Sequence, residues 1–236
     1  MQTGKTVREL VLENPTAARV FETFGIDYCC GGNQLLTDAC NTANVEVEKV
    51  ITALERVTPI PLERDWNNAS LSDLEQHIVD QHHRYTREEI RRLVPLISKV
   101  VGVHGTNHPE LRRVQSLFQE MSQDLTAHMM KEEQMLFPYI VEMESAIHHE
   151  RPLPRAMFGT VQNPVRMMMM EHDSAGQCLG DLREATNGYA LPPDACVSYR
   201  TLYQALAAFE ADLHQHIHLE NNILFPRALK MENEAF

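Results

Sequence analysis

The stretch "HMMKEEQMLFP", residues 128–138, decides the fold, because its skeleton returns 88 residues later as "HIHLENNILFP", residues 216–226. When the alignment is extended to residues 124–138 and 212–226, seven of fifteen positions are identical. Both copies lie in segments whose apolar residues recur at helical spacing. This internal repeat indicates a duplicated pair of helices.

In each copy of the repeat a histidine precedes a glutamate by four positions, as His128 with Glu132 and His216 with Glu220. Residues four apart on an α-helix lie on one face, about 40° apart and one turn along the axis. A single pair of this kind is usually just a solvated pair. Two copies in register favour a metal site instead, since buried carboxylates need a compensating positive charge.

The helices that precede the two copies each offer one further histidine, His83 and His172. Each is followed by apolar residues seven and ten positions later, and the intervals to the repeat histidines, 45 and 44 residues, agree. His82 loses this register and ranks second. The sequence therefore predicts six metal ligands, namely His83, His128, Glu132, His172, His216 and Glu220.

This ligand set favours iron. Four imidazoles and two carboxylates that can bridge suit two iron ions, each bound by two histidines and sharing both glutamates. Zinc usually fills a tetrahedron from four ligands and has little use for paired bridging carboxylates. Ligand type alone leaves manganese open.

Four acidic residues adjoin the predicted ligands. Asp124 and Asp212 lie one turn before each repeat histidine, where they are candidates to accept its second ring N–H, although exposure to solvent is an equal alternative. Glu133 and Glu171 directly follow or precede a ligand position, and we expect them to point elsewhere on the helix.

The chain is predicted to be all-α. Ser72 and Glu75 form a capping-box pattern that predicts a helix start. Helices are expected from there to about residue 101, over 109–145 and 160–186, and to about residue 229, which favours an up-down-up-down four-helix bundle across residues 70–236. Residues 58–69 contain two prolines and are expected to link it to a small helical domain, residues 1–57.

That small domain is predicted to contain one helix over residues 6–25, ending at Gly25, and a second over residues 45–57. Between them "DYCCGG", residues 27–32, marks a tight turn. Five cysteines with Cys29 and Cys30 adjacent do not suit a disulfide framework, so reduced thiols are expected.

Composition excludes some classes of function. The net charge of −12 argues against a nucleic-acid surface, which needs concentrated positive charge. The N-terminus lacks the pattern of a signal peptide, and no stretch approaches the ~18 apolar residues of a membrane span. The sequence therefore predicts a soluble cytoplasmic protein whose partners are proteins or small molecules.

The pattern H-x3-E-x3-LFP, present twice, resembles the hemerythrin-like bundle, whose members carry a non-haem di-iron centre. Oxygen-carrying hemerythrins use five histidines, whereas four lie in register here, which disfavours an oxygen carrier. With "DYCCGG" ahead of such a bundle, the chain resembles the family of di-iron proteins for repair of iron-sulfur clusters, also called repair of iron centres proteins.

The resemblance implies a bacterial cytoplasmic protein of the stress response that restores iron-sulfur clusters after nitrosative or oxidative damage, by supplying iron. It implies a di-iron centre on the six ligands named above, bridged by the glutamates and by an oxo or hydroxo group. It also implies damaged iron-sulfur proteins as partners, and a homodimer.

Cys29 and Cys30 are the candidate functional thiols, with transient binding of iron or nitric oxide, or a bridge to another chain, as possible roles. Gly31 and Gly32 are expected to expose them and to stabilise a thiolate through backbone N–H groups. The alternative is a buried turn without chemistry.

Whether the protein is an enzyme stays open at this point. Besides a non-enzymatic iron donor, the sequence allows a di-iron enzyme that reduces nitric oxide to nitrous oxide, and a sensor or store of nitric oxide or oxygen.

Overall fold

A computed structural model describes residues 4–57 and 64–235. Within these ranges the chain is helical, with an isolated antiparallel bridge between Thr6 and Leu35 and no β-strand. The all-α prediction is therefore confirmed. None of the described helices is long and apolar enough to cross a membrane. Residues 58–63 of the predicted linker lie outside the described residues, and the domain boundary stays a prediction.

The N-terminal part contains four short helices, α1 (Val7–Glu13), α2 (Ala17–Phe24), α3 (Leu36–Thr42) and α4 (Val47–Arg56). The single helix predicted over residues 6–25 is wrong, because Asn14 is extended (φ −141°, ψ 95°) ahead of Pro15, as pre-proline sterics favour. Gly25 ends α2 with φ 65°, as expected.

Four long helices follow, which we call bundle helices A to D. Helix A (residues 71–104) and helix B (residues 110–148) are each interrupted by one π-helical turn, at Ile78–His83 and Glu132–Leu136. Helix C is Gln162–Ala185, and helix D (residues 197–234) contains a π turn at Glu220–Leu224.

On either side of its π turn, each of helices A, B and D is α-helical. These α-helical segments are Leu71–His77, Arg84–His104, Glu110–Lys131, Phe137–His148, Val197–Leu219 and Phe225–Glu234. Helix B packs against helices A and C, and helix D packs against helix A. The predicted bundle of four long helices is therefore confirmed.

The start of helix A differs from the capping-box prediction. Its N-cap is Ser70, whose hydroxyl accepts the N–H of Asp73 at 3.2 Å. The first two N–H groups of the helix, at Leu71 and Ser72, are donated to the carboxylate of Glu144 on helix B at 2.6 and 3.0 Å. Glu75 is buried and caps nothing, so the predicted Ser72–Glu75 capping box is wrong.

The core consists of two apolar clusters separated by a polar layer. One cluster fills one end of the bundle and includes Ile78, Ile140 and Phe225. The other fills the opposite end and continues into the N-terminal helices, so that Phe21 and Phe118 belong to one core. The repeated histidines and glutamates lie between the two clusters along every bundle helix.

Candidate metal centre

The six predicted ligands meet in the polar layer of the bundle. All six are buried, and no more than 2% of the surface of any of these residues is exposed to solvent. They form two groups that share the glutamates, namely His83, Glu132, His216 and Glu220, and His128, Glu132, His172 and Glu220. Within each group, one ligand atom per residue lies within 4.8 Å of every other. The helices thus bring together side chains up to 137 positions apart in the sequence.

Three of the six positions coincide with a π turn. His83 is the last residue of the π turn in helix A, while Glu132 and Glu220 begin those of helices B and D. A π turn contains one residue more than an α-helical turn, is intrinsically unfavourable, and occurs often at functional sites. The matching turns at Glu132 and Glu220 extend the sequence repeat to the backbone.

Each glutamate offers one oxygen to each histidine pair. Glu132 Oε2 lies 3.4 Å from His83 Nε2, and its Oε1 lies 3.3 Å from His128 Nε2. Glu220 Oε1 lies 3.1 Å from His216 Nε2, and its Oε2 lies 3.1 Å from His172 Nε2. Each carboxylate thus spans the two histidine pairs.

The donor atoms fit a pair of cations. His83 Nε2 lies 3.1 Å from His216 Nε2, and His128 Nε2 lies 3.0 Å from His172 Nε2. Neighbouring ligands of an octahedral ion with bonds of about 2.1 Å are about 3.0 Å apart. Both oxygens of Glu132, and Oε2 of Glu220, accept no well-aligned hydrogen bond although they are fully buried. Buried carboxylate oxygens of this kind need a positive partner.

The pKa shifts of the side chains in this layer also indicate a site for positive charge. Burial alone would raise the pKa of Glu220, but the facing imidazoles lower it well below its usual range. Burial alone would lower the pKa of His83 and His128, but the two glutamates raise it to about 10 and about 9. Either a proton on each of these rings or a bound cation would balance the carboxylates.

Three of the four histidines donate their second ring N–H to a side chain on another helix. The contacts are His83 Nδ1 to Glu133 Oε1 at 2.6 Å, His128 Nδ1 to Glu171 Oε2 at 2.8 Å, and His172 Nδ1 to Asn221 Oδ1 at 2.8 Å. These bonds leave Nε2 free to bind a cation. Our expectation that Glu133 and Glu171 point elsewhere is wrong.

The sequence repeat contains a signal for two of these partners. Glu133 directly follows Glu132, and Asn221 directly follows Glu220. Each contacts the histidine of the preceding bundle helix, His83 or His172. The position after each repeat glutamate therefore orients a ligand.

Neither Asp124 nor Asp212 accepts the second ring N–H of a repeat histidine, and for Asp124 the alternative, exposure to solvent, is the correct one. Asp124 is exposed, and Asp212 bonds His82 Nδ1 at 3.1 Å rather than a predicted ligand. His82 stacks on His216, with ring centroids 5.6 Å apart and planes at 9°. It belongs to neither ligand group, in agreement with its lower rank.

The "DYCCGG" segment, residues 27–32, is called the Cys loop below. Asp27 Oδ1 accepts the N–H groups of Cys29 and Cys30 at 2.9 Å each, and its Oδ2 accepts that of Gly31 at 2.8 Å. The hydrogen bond with Cys30, burial and the Asp27 carboxylate raise the pKa of Cys29 well above its usual range. The expectation of glycine N–H groups that stabilise a thiolate is therefore wrong for Cys29, which is also buried.

A cavity of about 460 Å³ opens between helices B and C and reaches the second histidine pair. Its lining includes His128 and His172, the carboxylates of Glu120, Asp124 and Asp181, and the ion pair of Lys131 with Glu171, so that the walls carry a net negative charge. Solvent thus approaches this half of the centre through an acidic passage.

Comparison with known proteins agrees with this geometry. Residues 74–228 match the family described as the hemerythrin HHE cation binding domain, and residues 3–58 match a domain of unknown function (DUF542). The iron-sulfur cluster repair protein YtfE of Citrobacter koseri is 35% identical over 224 residues, which cover 95% of this chain and 96% of that protein. A probable iron-sulfur cluster repair protein of Haemophilus influenzae is 36% identical over 224 residues, 94% and 95% of the two chains. The chain therefore belongs to the hemerythrin HHE cation-binding family and, over nearly its whole length, to the family of iron-sulfur cluster repair proteins.

Proposed function

We propose that this protein restores iron-sulfur clusters damaged by nitrosative or oxidative stress, and that it does so by donating iron from a two-iron centre. The observation that carries the proposal is the pair of buried glutamates, Glu132 and Glu220, each with one oxygen toward each histidine pair. The names of the relatives, which are iron-sulfur cluster repair proteins, support the same function.

In this proposal His83 and His216 would hold one ion, His128 and His172 would hold the other, and both groups would share Glu132 and Glu220. When bound, iron would supply an exchangeable, redox-active cation. Two imidazoles and two carboxylate oxygens per ion suit iron or manganese better than a closed tetrahedral zinc site.

A donor must release what it holds. If the carboxylate of Glu132 or Glu220 moved from bridging to terminal binding, it would contact one ion only. The other ion would then be bound more weakly while the bundle stays folded. The acidic passage to His128 and His172 supports exit from that half, because carboxylates along a passage attract cations.

Cys29 and Cys30 are the proposed thiols of this function, as transient acceptors of iron. Their sulfur atoms are 3.9 Å apart and face one another. Cys30 is half-buried rather than sealed in the core, so a client or a departing ion has access to it. Damaged iron-sulfur proteins are the proposed partners, and the homodimer and the cytoplasmic location are proposed from the family resemblance.

The test begins with metal content. Purified wild type is expected to hold two irons per chain, and the double variant Glu132→Ala, Glu220→Ala less than one, while His148→Ala, on the exposed surface, keeps two. The loaded wild type is then mixed with an iron-depleted cluster protein, the two are separated, and iron is counted in each.

Iron that moves to the client supports the donor. Two irons that stay in place would overturn the donor and favour nitric oxide reduction at the same centre. A wild type without iron would overturn both, and manganese in its place would redirect the cofactor assignment.

A further inference from the structure

Two consecutive asparagines join the π turn of helix D to the Cys loop. Asn221 and Asn222 directly follow Glu220, and both are buried although their side chains are polar. A buried amide is retained only when its hydrogen bonds are made. The side-chain amides of Asn221 and Asn222 have different hydrogen-bond partners.

Asn221 spans the distance between the candidate metal centre and the Cys loop. Its Oδ1 accepts the Nδ1 proton of His172 at 2.8 Å, and its Nδ2 donates to the carbonyl of Cys29 at 3.4 Å. One amide group therefore holds a candidate ligand at one end and the backbone of the thiol pair at the other.

Asn222 anchors the same loop without touching a candidate ligand. Its Nδ2 lies 3.2 Å from the carbonyl of Tyr28, 3.4 Å from that of Cys29 and 2.9 Å from His218 Nδ1. Since an amide nitrogen can only donate, the ring nitrogen of His218 accepts this last bond. Asn222 is thus a matched control for Asn221.

The second cysteine lies on the same side of helix C as His172. A Cβ placed on Gly176 would lie 3.7 Å from Cys30 Sγ, which is contact distance. Gly176 is one turn beyond His172, so the two share a face of the helix. The Cys loop therefore rests beside this ligand, both through Asn221 and through direct packing.

The two halves of the centre differ at this position. The equivalent of Asn221 in the first copy of the repeat is Glu133, a carboxylate that holds His83. A carboxylate partner increases the basicity of an imidazole ligand more than a neutral amide does. The partner of His172 is thus a neutral amide rather than a carboxylate, and it is shared with a separate segment of the chain.

We propose that Asn221 is a positioning residue that couples the Cys loop to the half of the centre formed by His128 and His172. With the loop docked, Asn221 holds the His172 ring in its binding orientation. When the loop moves, for instance as its thiols engage a client, Asn221 loses its anchor and the hold on that ion weakens. The coupling assigns release to one half of the centre, and it rests on the proposed two-iron function.

Coupling between two sites is reciprocal, so the bound ion must also protect the loop. This gives a readout that needs no repair activity. The rate at which iodoacetamide modifies Cys29 and Cys30 is measured by mass spectrometry of their peptide, for metal-free protein and for protein loaded anaerobically with Fe²⁺. We expect iron to slow modification of the wild type at least about fivefold.

The decisive variant is Asn221→Asp. Aspartate accepts the His172 proton but donates nothing to Cys29. Because its carboxylate makes His172 a stronger ligand than the amide does, it offsets the lost anchor, and iron should bind at least as tightly as in the wild type while its protection of the thiols is lost. Asn221→Ala breaks both bonds, and one of the two irons should pass to a ferrous chelator about tenfold faster. Asn222→Ala should speed thiol modification with and without iron, and the ratio between the two states should persist.

Protection by iron that is equal in the wild type, Asn221→Asp and Asn221→Ala would overturn the coupling and leave the iron donor standing. Protection lost equally in Asn222→Ala and Asn221→Asp would also overturn it, because loop anchoring alone would then explain the effect. A wild type that takes up no iron would overturn the proposed function itself.

Discussion

Glu171 on helix C accepts the Nδ1 proton of His128 on helix B, with 2.8 Å between Glu171 Oε2 and the ring nitrogen. The other oxygen of Glu171 forms a salt bridge with Lys131. The carboxylate therefore fixes which ring nitrogen faces the polar layer, and it raises the basicity of that nitrogen.

We accordingly expect Glu171→Gln to weaken iron binding in the His128 and His172 half about tenfold. The measurement is a titration of metal-free protein with Fe²⁺ in competition with a chelator, which resolves one weakened site of two. Glu184→Gln removes a charge from an exposed position of the same helix and should leave both affinities unchanged. Wild-type binding by the Glu171 variant would mean that the contact is only structural.

Adjacent histidines at the end of one π turn have different predicted roles. His83 faces Glu132 and His216, whereas His82 bonds Asp212 and stacks on the outer side of the centre. His83→Ala should therefore reduce iron from two to about one per chain, and His82→Ala should keep both. Elemental analysis of the purified variants decides this, and loss of iron from the His82 variant would reverse the ranking.

Glu75 is a buried carboxyl group near the centre whose Oε1 has no hydrogen bond among the described residues. Burial, Glu144 and Glu132 raise its pKa to about 9, against 4.5 when exposed. Folding therefore takes up a proton between these values, and the stability of the metal-free protein falls as pH rises from 4.5 to 9. At pH 7 the cost is on the order of 3 kcal/mol.

Glu75→Gln removes that cost. In urea unfolding of metal-free protein, the variant should be ~2–3 kcal/mol more stable than the wild type at pH 7. The difference should grow from pH 5 to pH 8.5. Glu88→Gln, exposed on the same helix, should show no such trend. A difference independent of pH would show that Glu75 is ionised in the folded protein.

That the six predicted ligands would meet in one layer was predictable, because their relation depends on spacing along single helices. Residues four apart share a helix face whatever the tertiary structure, and the repeat fixed the register of His83 and His172. The partners of the ring N–H groups depend on neighbouring helices instead. Spacing along one helix therefore suggested Asp124 and Asp212, whereas Glu171 reaches His128 only once helices B and C pack.

The local errors have equally local causes. The break between α1 and α2 follows from Pro15, which a pattern of apolar spacing ignores. The predicted start of helix A, at Ser72, is two residues too late, because Ser70 and Asp73 form a capping pattern of their own. The π turns were not predicted, because apolar spacing averaged over a whole helix is insensitive to one extra residue.

Cys29→Ala with Cys30→Ala removes two small side chains, of which only Cys29 is fully buried, so the loss of stability should be modest, about 1–2 kcal/mol. No candidate ligand changes, and the double variant should keep two irons. If the thiols receive iron, its transfer to an iron-depleted cluster protein should fall at least about tenfold.

Nitric oxide reduction at the centre would need no thiol, so turnover by that route should persist in the double variant. Cys196→Ala, at an exposed position remote from the Cys loop in the sequence, serves as the control and should transfer iron normally. Iron content, transfer to the client and consumption of nitric oxide are measured on the same preparations. Normal transfer by the double variant would remove Cys29 and Cys30 from the mechanism, because the ion would then reach the client without them.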